Sequence, residues 1–211
     1  ASTSSYVMAY TIIGVTDEEK KEQLRKISGQ PYVKDNGHLF VFCADLHRIY
    51  EQTSKDEIVQ EGMQSTEQFI VATVDAALSA QNAVIAAESM GLGICYLGSL
   101  RNNIRRTSEI LQLPEYVIPL FGLAVGYPNH KPEQKPRLPL EVVYHENQYD
   151  GNIERQKQYL QAFDEHIEKY YSSRTENKRM DTWTDQMRRR YSKTIRMDVA
   201  QFINDKKLNK Q

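Results

Sequence analysis

The chain has 211 residues, 27 basic side chains against 28 acidic ones, and a formal net charge of −1. That length suits a domain with a core large enough to need no disulfide or metal staple. Near-neutrality argues against a dedicated nucleic-acid binder, which carries a basic excess. At 40% apolar and 26% charged residues, the composition is that of a globular chain rather than a disordered one. Cys43 and Cys95 sit in apolar runs, with no CxxC and no zinc spacing nearby. They read as two small buried hydrophobes of a reducing compartment. No apolar run approaches the roughly 20 residues that span a bilayer, and no signal peptide precedes the fold. The expected location is therefore the cytoplasm, with no membrane partner. The chain opens at Ala1 without a Met and moves directly into strand-like sequence.

Taken in chain order, Tyr10 to Val15 is β-branched and apolar and predicts a buried strand. Thr16 with Glu19 three residues on predicts a capping box that opens a charged helix from Asp17 to about Ile27. Gly29 and Pro31 punctuate its end. His38 to Ala44 is nearly all apolar, which predicts a strand covered on both faces. Thr66 to Met90 is the longest helical stretch. Ile70, Val74 and Ala77 mark one side, and Ala76, Ala80, Ala83, Ala86 and Ala87 make the others small and apolar. Such a helix is buried all round, in a core or at a subunit interface. Ile94 to Leu97 is a further strand, Arg101 to Gln112 a polar surface helix, and Tyr116 to Gly126 another buried strand. A Pro/Lys-rich loop covers 127–139, followed by helices at about Ile153–Tyr171, Trp183–Arg190 and Met197–Asp205. Strands separated by helices make an α/β or α+β sandwich. The sense of pairing is not legible.

Several clusters have chemical potential, each beside a plainer reading. Ser2-Thr3-Ser4-Ser5 offers hydroxyls and amides for a phosphate or sugar edge, or is a frayed terminus. In Lys135-Pro136-Arg137-Leu138-Pro139 an extended backbone points both cations the same way, which suits a dianionic phosphate or an ordinary basic loop. Gly93 and Gly98 bracket a strand against which a flat ligand could lie, or serve as cap and turn residues. The run is not GxGxxG, so a Rossmann fingerprint is absent. Arg174, Lys178, Arg179 and Arg188 to Arg190 could grip the extra phosphate of NADPH, form a solvated face, or bind nucleic acid weakly. The interleaved Glu176, Asp181 and Asp185 favour the first two. No nucleophile–base order and no paired catalytic carboxylates are evident, so no side chain is expected to be catalytic. Any redox chemistry must then come from an organic cofactor.

Together these stretches resemble the NADPH-preferring branch of the FMN-dependent nitroreductases and flavin reductases, as found in Gram-positive bacteria. The resemblance runs along the whole chain. It rests on Ser2 to Tyr6, Val41 to Asp45, AQNAVIAAESMGLGICYLGSLRNN from Ala80 to Asn103, PLFGLAVGYP from Pro119 to Pro128, KPRLP, and RTENKRMDTWTD from Arg174 to Asp185. Any one of these is weak, and their joint order is specific.

The resemblance implies an α+β sheet sandwiched by helices in an intertwined homodimer, with FMN as bound cofactor and NADPH as co-substrate. Residues 1–150 would form the FMN-binding core. Residues 151–211 would be a helical extension of the same domain for NADPH recognition and dimer contacts. Ser2, Thr3, Ser4, Gln30, Tyr96, Leu97, Gly98, Ser99, Lys135 and Arg137 fall at FMN-binding positions. Arg101, Arg174 and Arg179 fall at positions for the NADPH phosphate. Two electrons would pass through FMN N5, in ping-pong order, to small acceptors such as nitroaromatics, quinones and flavins. A non-catalytic flavin- or nucleotide-binding module is the alternative. Family members carry an N-terminal helix and an R-x-x-R motif before the serine run, so an upstream segment is expected that this sequence does not include.

Overall fold

Strand β1 (Tyr10–Val15) pairs with β2 (His38–Asp45), β2 with β4 (Val117–Gly126), and β4 with β3 (Gly93–Leu97). The result is a four-stranded sheet in the order β1-β2-β4-β3. Every ladder is antiparallel, which decides for α+β. The computed structural model describes residues 1–53, 56–130, 133–176 and 178–210. Lys131 and Pro132 of the predicted loop and Asn177 of the basic stretch lie outside them.

Side chains alternate across β2 as the period of a strand requires. Leu39, Val41 and Cys43 join Leu24, Leu97, Leu100 and Ile110 in one cluster. Phe40 and Phe42 point the other way, into a cluster with Ala80, Val84 and Ala87. Both faces of β2 are covered, as its unbroken apolar run predicts. Burial pushes the Cys43 thiol up to about 12, with the Asp45 carboxylate adding to the shift. Cys95 is only partly buried and lies beside Tyr32, so the expectation of two buried cysteines holds for one of them.

Helix α1 (Glu18–Ser28) is capped by Asp17, whose carboxylate accepts from Lys20 N at 2.9 Å. The cap falls one residue later than predicted, on the side chain that also places negative charge at the helix start. Two short helices that the sequence reading missed, α2 (His47–Gln52) and α3 (Glu57–Met63), follow β2. In α4 (Thr66–Ser89) the residues Ala72, Asp75, Ala76, Ser79, Ala80, Val84 and Ala87 form a buried stripe, while Ile70, Val74, Leu78 and Ile85 are exposed. Its burial is thus one-sided in the single chain. The expectation that no segment is long and apolar enough to cross a membrane needs correction. α4 passes by length and composition, with a mean hydropathy of 1.5 over its best window, of which 33% is buried. Its apolar run is broken only by small or polar residues and one Asp, so the average stays high where a search for unbroken runs fails.

The predicted 101–112 helix is a 3₁₀ turn over Gly98–Asn103 followed by α5 (Ile104–Ile110). It is not simply a surface helix, since Ile104, Thr107, Ser108 and Ile110 are buried. Pro119 lies inside β4, where a missing N–H would break a ladder. The pairing skips there: Phe42 faces Phe121 but Cys43 faces Pro119. Leu120 is the extra residue of a β-bulge, the setting in which a strand tolerates proline.

Two compact units emerge, Ala1–Asn129 with Arg196–Gln211, and His130–Ile195. Within the first, α9 (Val199–Asp205) and the residues after it are stitched to the sheet unit. Tyr116 N donates to Lys206 O at 2.9 Å, and Lys210 N to Gln64 O at 2.8 Å. Within the second, a short α6 (Leu140–Val143) precedes α7 (Ile153–Arg174) and α8 (Trp183–Tyr191). Phe163, Ile167 and Tyr171 of α7 pack with Leu138 and Trp183.

Gly37 and Gly126 approach backbone to backbone, and a Cβ on Gly126 would lie 3.0 Å from Gly37 N. Gly126→Ala should therefore lower stability by about 1–3 kcal/mol in a urea melt. A Cβ on Gly62 of α3 meets nothing within 4 Å, and Gly62→Ala should stabilise by about 0.4–1 kcal/mol. Equal effects at the two glycines would contradict the close approach.

Candidate functional site

In the first unit, the serine-rich segment is not frayed. Thr3 Oγ1 donates to Asp75 Oδ2 at 2.6 Å and accepts from Met8 N at 2.8 Å. Ala9 N donates to the same carboxylate oxygen at 2.9 Å. Asp75 is 1% exposed, a lone charge on the buried stripe of α4 whose need for donors is met by this segment. Three residues between these anchors, Ser5, Tyr6 and Met8, have φ of 46°, 61° and 52°, a region that side chains other than glycine's seldom adopt. Arg48 adds a second tie, donating to Tyr10 O at 2.9 Å and to Asp45 Oδ2 at 3.1 Å. Ser2 and Ser4 stay exposed beside the anchored Thr3.

A second cluster of the same unit lies where β3 enters the 3₁₀ turn. Ser28 Oγ and Ser99 Oγ are 2.6 Å apart, which links the end of α1 to the turn. Gly29, at φ 72°, caps α1 in the left-handed conformation and swings the chain into Gln30. The sequence-predicted Ser99 is thus anchored by a residue, Ser28, that sequence reasoning missed. Tyr96 is 43% exposed, with its ring edge-on to Phe121 at 5.5 Å and its hydroxyl 3.4 Å from Gln81 Oε1. Burial, then the charge of Glu88, raises its phenol above the ordinary value. Leu97 is buried, and a Cβ on Gly98 would lie 3.4 Å from the Arg101 guanidinium. Arg101 itself donates to Leu120 O, the carbonyl freed by the bulge. Arg101 is thereby tied to the sheet at the bulge.

In the second unit, cations gather on consecutive tyrosines. Arg179 Cζ lies 3.8 Å from the centroid of the Tyr171 ring, and Lys135 Nζ lies 5.5 Å from it. Arg174 donates to Tyr170 Oη at 2.8 Å, and the two tyrosine rings meet edge-on at 5.2 Å. Asp181 accepts from Arg179 Nε at 2.7 Å and from both terminal nitrogens of Arg189 at 2.9 and 2.7 Å. The hydrogen bonds from Arg189 and Arg179 hold its carboxyl below the usual range. Burial raises the Tyr171 phenol, but the Lys135 hydrogen bond and the charges of Lys135, Arg179 and Arg174 outweigh it and leave the group below its ordinary value. Arg137 lies on the same loop as Lys135. It donates to Lys135 O at 2.7 Å and lines a cavity of about 310 Å³ with Tyr159, Phe163 and His166.

The structure thus brings together Lys135 with Arg179, Ser28 with Ser99, and Thr3 with a buried carboxylate, and it ties Arg137 to the backbone of Lys135. Asp75 had a signal, the one carboxylate between Phe69 and Ala87 of an alanine-rich helix. Ser28, Arg48 and Tyr171 had none. The first unit thus offers hydroxyls beside a glycine-bearing turn, and the second, by itself, sets two cations on one ring. The class is therefore that of an α+β protein with clustered polar and cationic groups.

Comparison with known proteins narrows it. The nitroreductase family model matches residues 12–127, and that described as nitroreductase family, C-terminal domain, matches residues 135–211. The chain belongs to the nitroreductase family, as its motifs predict. It is 50% identical over 212 residues to a Bacillus subtilis (strain 168) protein named FMN reductase (NADPH), with 100% of this chain and 85% of the relative covered. Among solved structures it is similar to NfrA1 of B. megaterium, with TM-score 0.95, 53% identity, and coverage of 100% of this chain and 86% of that one. The NADPH:FMN oxidoreductase from Vibrio harveyi complexed with NAD+ matches at TM-score 0.86 and 36% identity, over 100% of this chain and 85% of that one.

Asp75→Ala removes the acceptor of two buried or half-buried donors. It should cost about 1–3 kcal/mol and speed proteolysis within residues 1–9. Unchanged stability together with unchanged cleavage would show that the carboxylate does not hold the segment.

Proposed function

We propose that this chain is an FMN-containing oxidoreductase that oxidises NADPH and reduces small acceptors, among them nitroaromatics, quinones and flavins, acting as a cytoplasmic homodimer. The observation that carries this reading is the likeness, along the whole chain, to a relative named FMN reductase (NADPH). The residues present suit FMN. Ser2, Thr3 and Ser4 offer hydroxyls, Gln30 an amide for the flavin edge, and Tyr96 to Ser99 a surface for a flat ring. Lys135 and Arg137 offer charge for its phosphate. When bound, FMN supplies a ring that accepts a hydride and returns two electrons. The chain's own part is to bind, orient and exclude: fixed donors near a reducible ring stabilise charge that develops there without having to reorganise.

For NADPH the reading assigns Arg174 and Arg179, with Arg101 as a third cation. A guanidinium fork matches the phosphate that distinguishes NADPH from NADH. Residues 1–150 would then carry the flavin core, and 151–211 nucleotide recognition and dimer contacts. The dimer reading is supported by the exposed Ile70, Val74, Leu78 and Ile85 of α4. An apolar row of this kind is suited to a second copy of the chain.

Use of one place in turn by NADPH and acceptor predicts parallel initial-rate lines when both are varied. Intersecting lines would overturn the ping-pong order. Arg174→Ala should raise KM for NADPH by about 1.5–3 kcal/mol, roughly 10- to 150-fold, with little change for NADH. An equal rise for both nucleotides would show that Arg174 does not read the phosphate.

A further inference from the structure

One buried carboxylate governs the segment that carries Ser2, Thr3 and Ser4. Asp75 is 1% exposed on the buried stripe of α4, and its Oδ2 accepts from Thr3 Oγ1 at 2.6 Å and from Ala9 N at 2.9 Å. A threonine hydroxyl has a single hydrogen to give, and this one is committed to Asp75. Its oxygen is engaged as well, accepting from Met8 N at 2.8 Å. FMN presents acceptor oxygens on its phosphate and on the carbonyls of its ring, and the Thr3 hydroxyl has no hydrogen left for them. Thr3 is extended, at φ −144° and ψ 148°, so the side chains beside it are turned away from its own. Ser2 and Ser4 are accordingly exposed where Thr3 is half-buried. The rest of the segment is strained. Ser5, Tyr6 and Met8 have φ of 46°, 61° and 52°, a conformation that persists only where its surroundings impose it. Arg48 closes the far end, donating to Met8 O at 3.3 Å and to Tyr10 O at 2.9 Å.

We infer that Asp75 and Thr3 form a positioning pair: the buried carboxylate fixes the Thr3 hydroxyl, and with it the path of the backbone that presents Ser2 and Ser4 to FMN. This rests on the reading that the segment holds FMN, and within that reading it moves Thr3 from direct contact to support. The physical reason is preorganisation. Serines on a loose segment lose conformational freedom when a ligand closes on them, and a segment tied down beforehand has already lost it. Hydrogen bonds to a carboxylate are stronger than those to a neutral acceptor, which suits a tie that must keep a strained turn in place. Asp75 stands on the helix that covers one face of the sheet, so the segment takes its rigidity from the core.

The experiment uses the full FMN-loaded protein and follows FMN release on dilution by the recovery of flavin fluorescence. Asp75→Ala should speed release ~10- to 150-fold, the range for loss of a hydrogen bond to a charged group. Asp75→Asn keeps an acceptor for both donors and should speed release by less than ~10-fold, the range for a neutral hydrogen bond. Thr3→Val should speed release in the parent. Added to Asp75→Ala it should contribute less than ~2-fold, because two residues that act through one contact are not additive. Val84→Ala opens a cavity on the same buried stripe and controls for stability alone. It should lower the urea midpoint and leave FMN release within ~2-fold of the parent.

A direct contact between Thr3 and FMN predicts that Thr3→Val and Asp75→Ala multiply in full, and that result overturns the proposal. So does an Asp75→Asn variant as fast as Asp75→Ala, which would show that the acceptor is not what holds the segment. A Val84→Ala variant that matches Asp75→Ala in FMN release at equal loss of stability would reduce the effect to stability and overturn it too. If Asp75→Ala fails to fold, Thr3→Val carries the test in the full chain freed of FMN. Proteolysis within residues 1–9 must then speed up, since the tie to Asp75 exists without the cofactor. Unchanged cleavage there marks a residue that only meets FMN, and the proposal falls. Should the unsubstituted protein retain no FMN and oxidise no NADPH, the functional reading falls and this inference with it. An active parent with the wrong variant pattern overturns the inference alone.

Discussion

The structure of the first unit depends on how closely α4 sits on the sheet. Ala72, Ala76, Ala80 and Ala87 recur at roughly one-turn spacing along its buried stripe. The last two of them meet Phe42 and Leu123 of the sheet in one cluster with Val84. Small side chains remove the bulk that would hold the helix off, so the large residues come from the strands and interdigitate in one direction only. The same stripe carries Asp75, and a carboxylate that close to a core needs donors. Thr3 and Ala9 supply them. One helix thereby covers a sheet face and fixes the path of the N-terminal segment.

Much of this is legible in the sequence, for reasons that differ by element. The strands are announced by short β-branched runs, and the burial of β2 on both faces by its lack of polar alternation. The antiparallel sense is not legible, since a run of apolar residues carries no direction. The bulge at Leu120 could have been suspected from Pro119 in an apolar strand. Its consequence, a carbonyl turned toward Arg101, could not. The α1 cap moved by one residue because Thr16 and Asp17 are both good caps, and local sequence does not choose between adjacent ones. The short helices α2, α3 and α6 carry too few turns for a period to register.

The predicted site residues divide in the same way. Residues of one stretch, such as Tyr96 to Ser99, arrive together because they are neighbours in the chain. Those that depend on a contact distant in sequence, such as Ser28 with Ser99 or Lys135 with Tyr171, have no local signature. The side chains found only in the structure are supports: Asp75 under Thr3, Ser28 under Ser99, Tyr171 under two cations, Asp181 beneath Arg179. They hold other groups in place. For a protein whose chemistry belongs to a cofactor, such supports are where its own contribution lies.

The central claim is that FMN held by this chain is reduced directly by NADPH. An anaerobic titration of the intact, flavin-loaded protein tests it most directly. The account predicts that the yellow absorption bleaches in proportion to added NADPH, ends at one equivalent per flavin, and returns when a quinone is admitted. A flavin that stays oxidised in excess NADPH, or a purified protein that holds none when FMN is supplied, would contradict it.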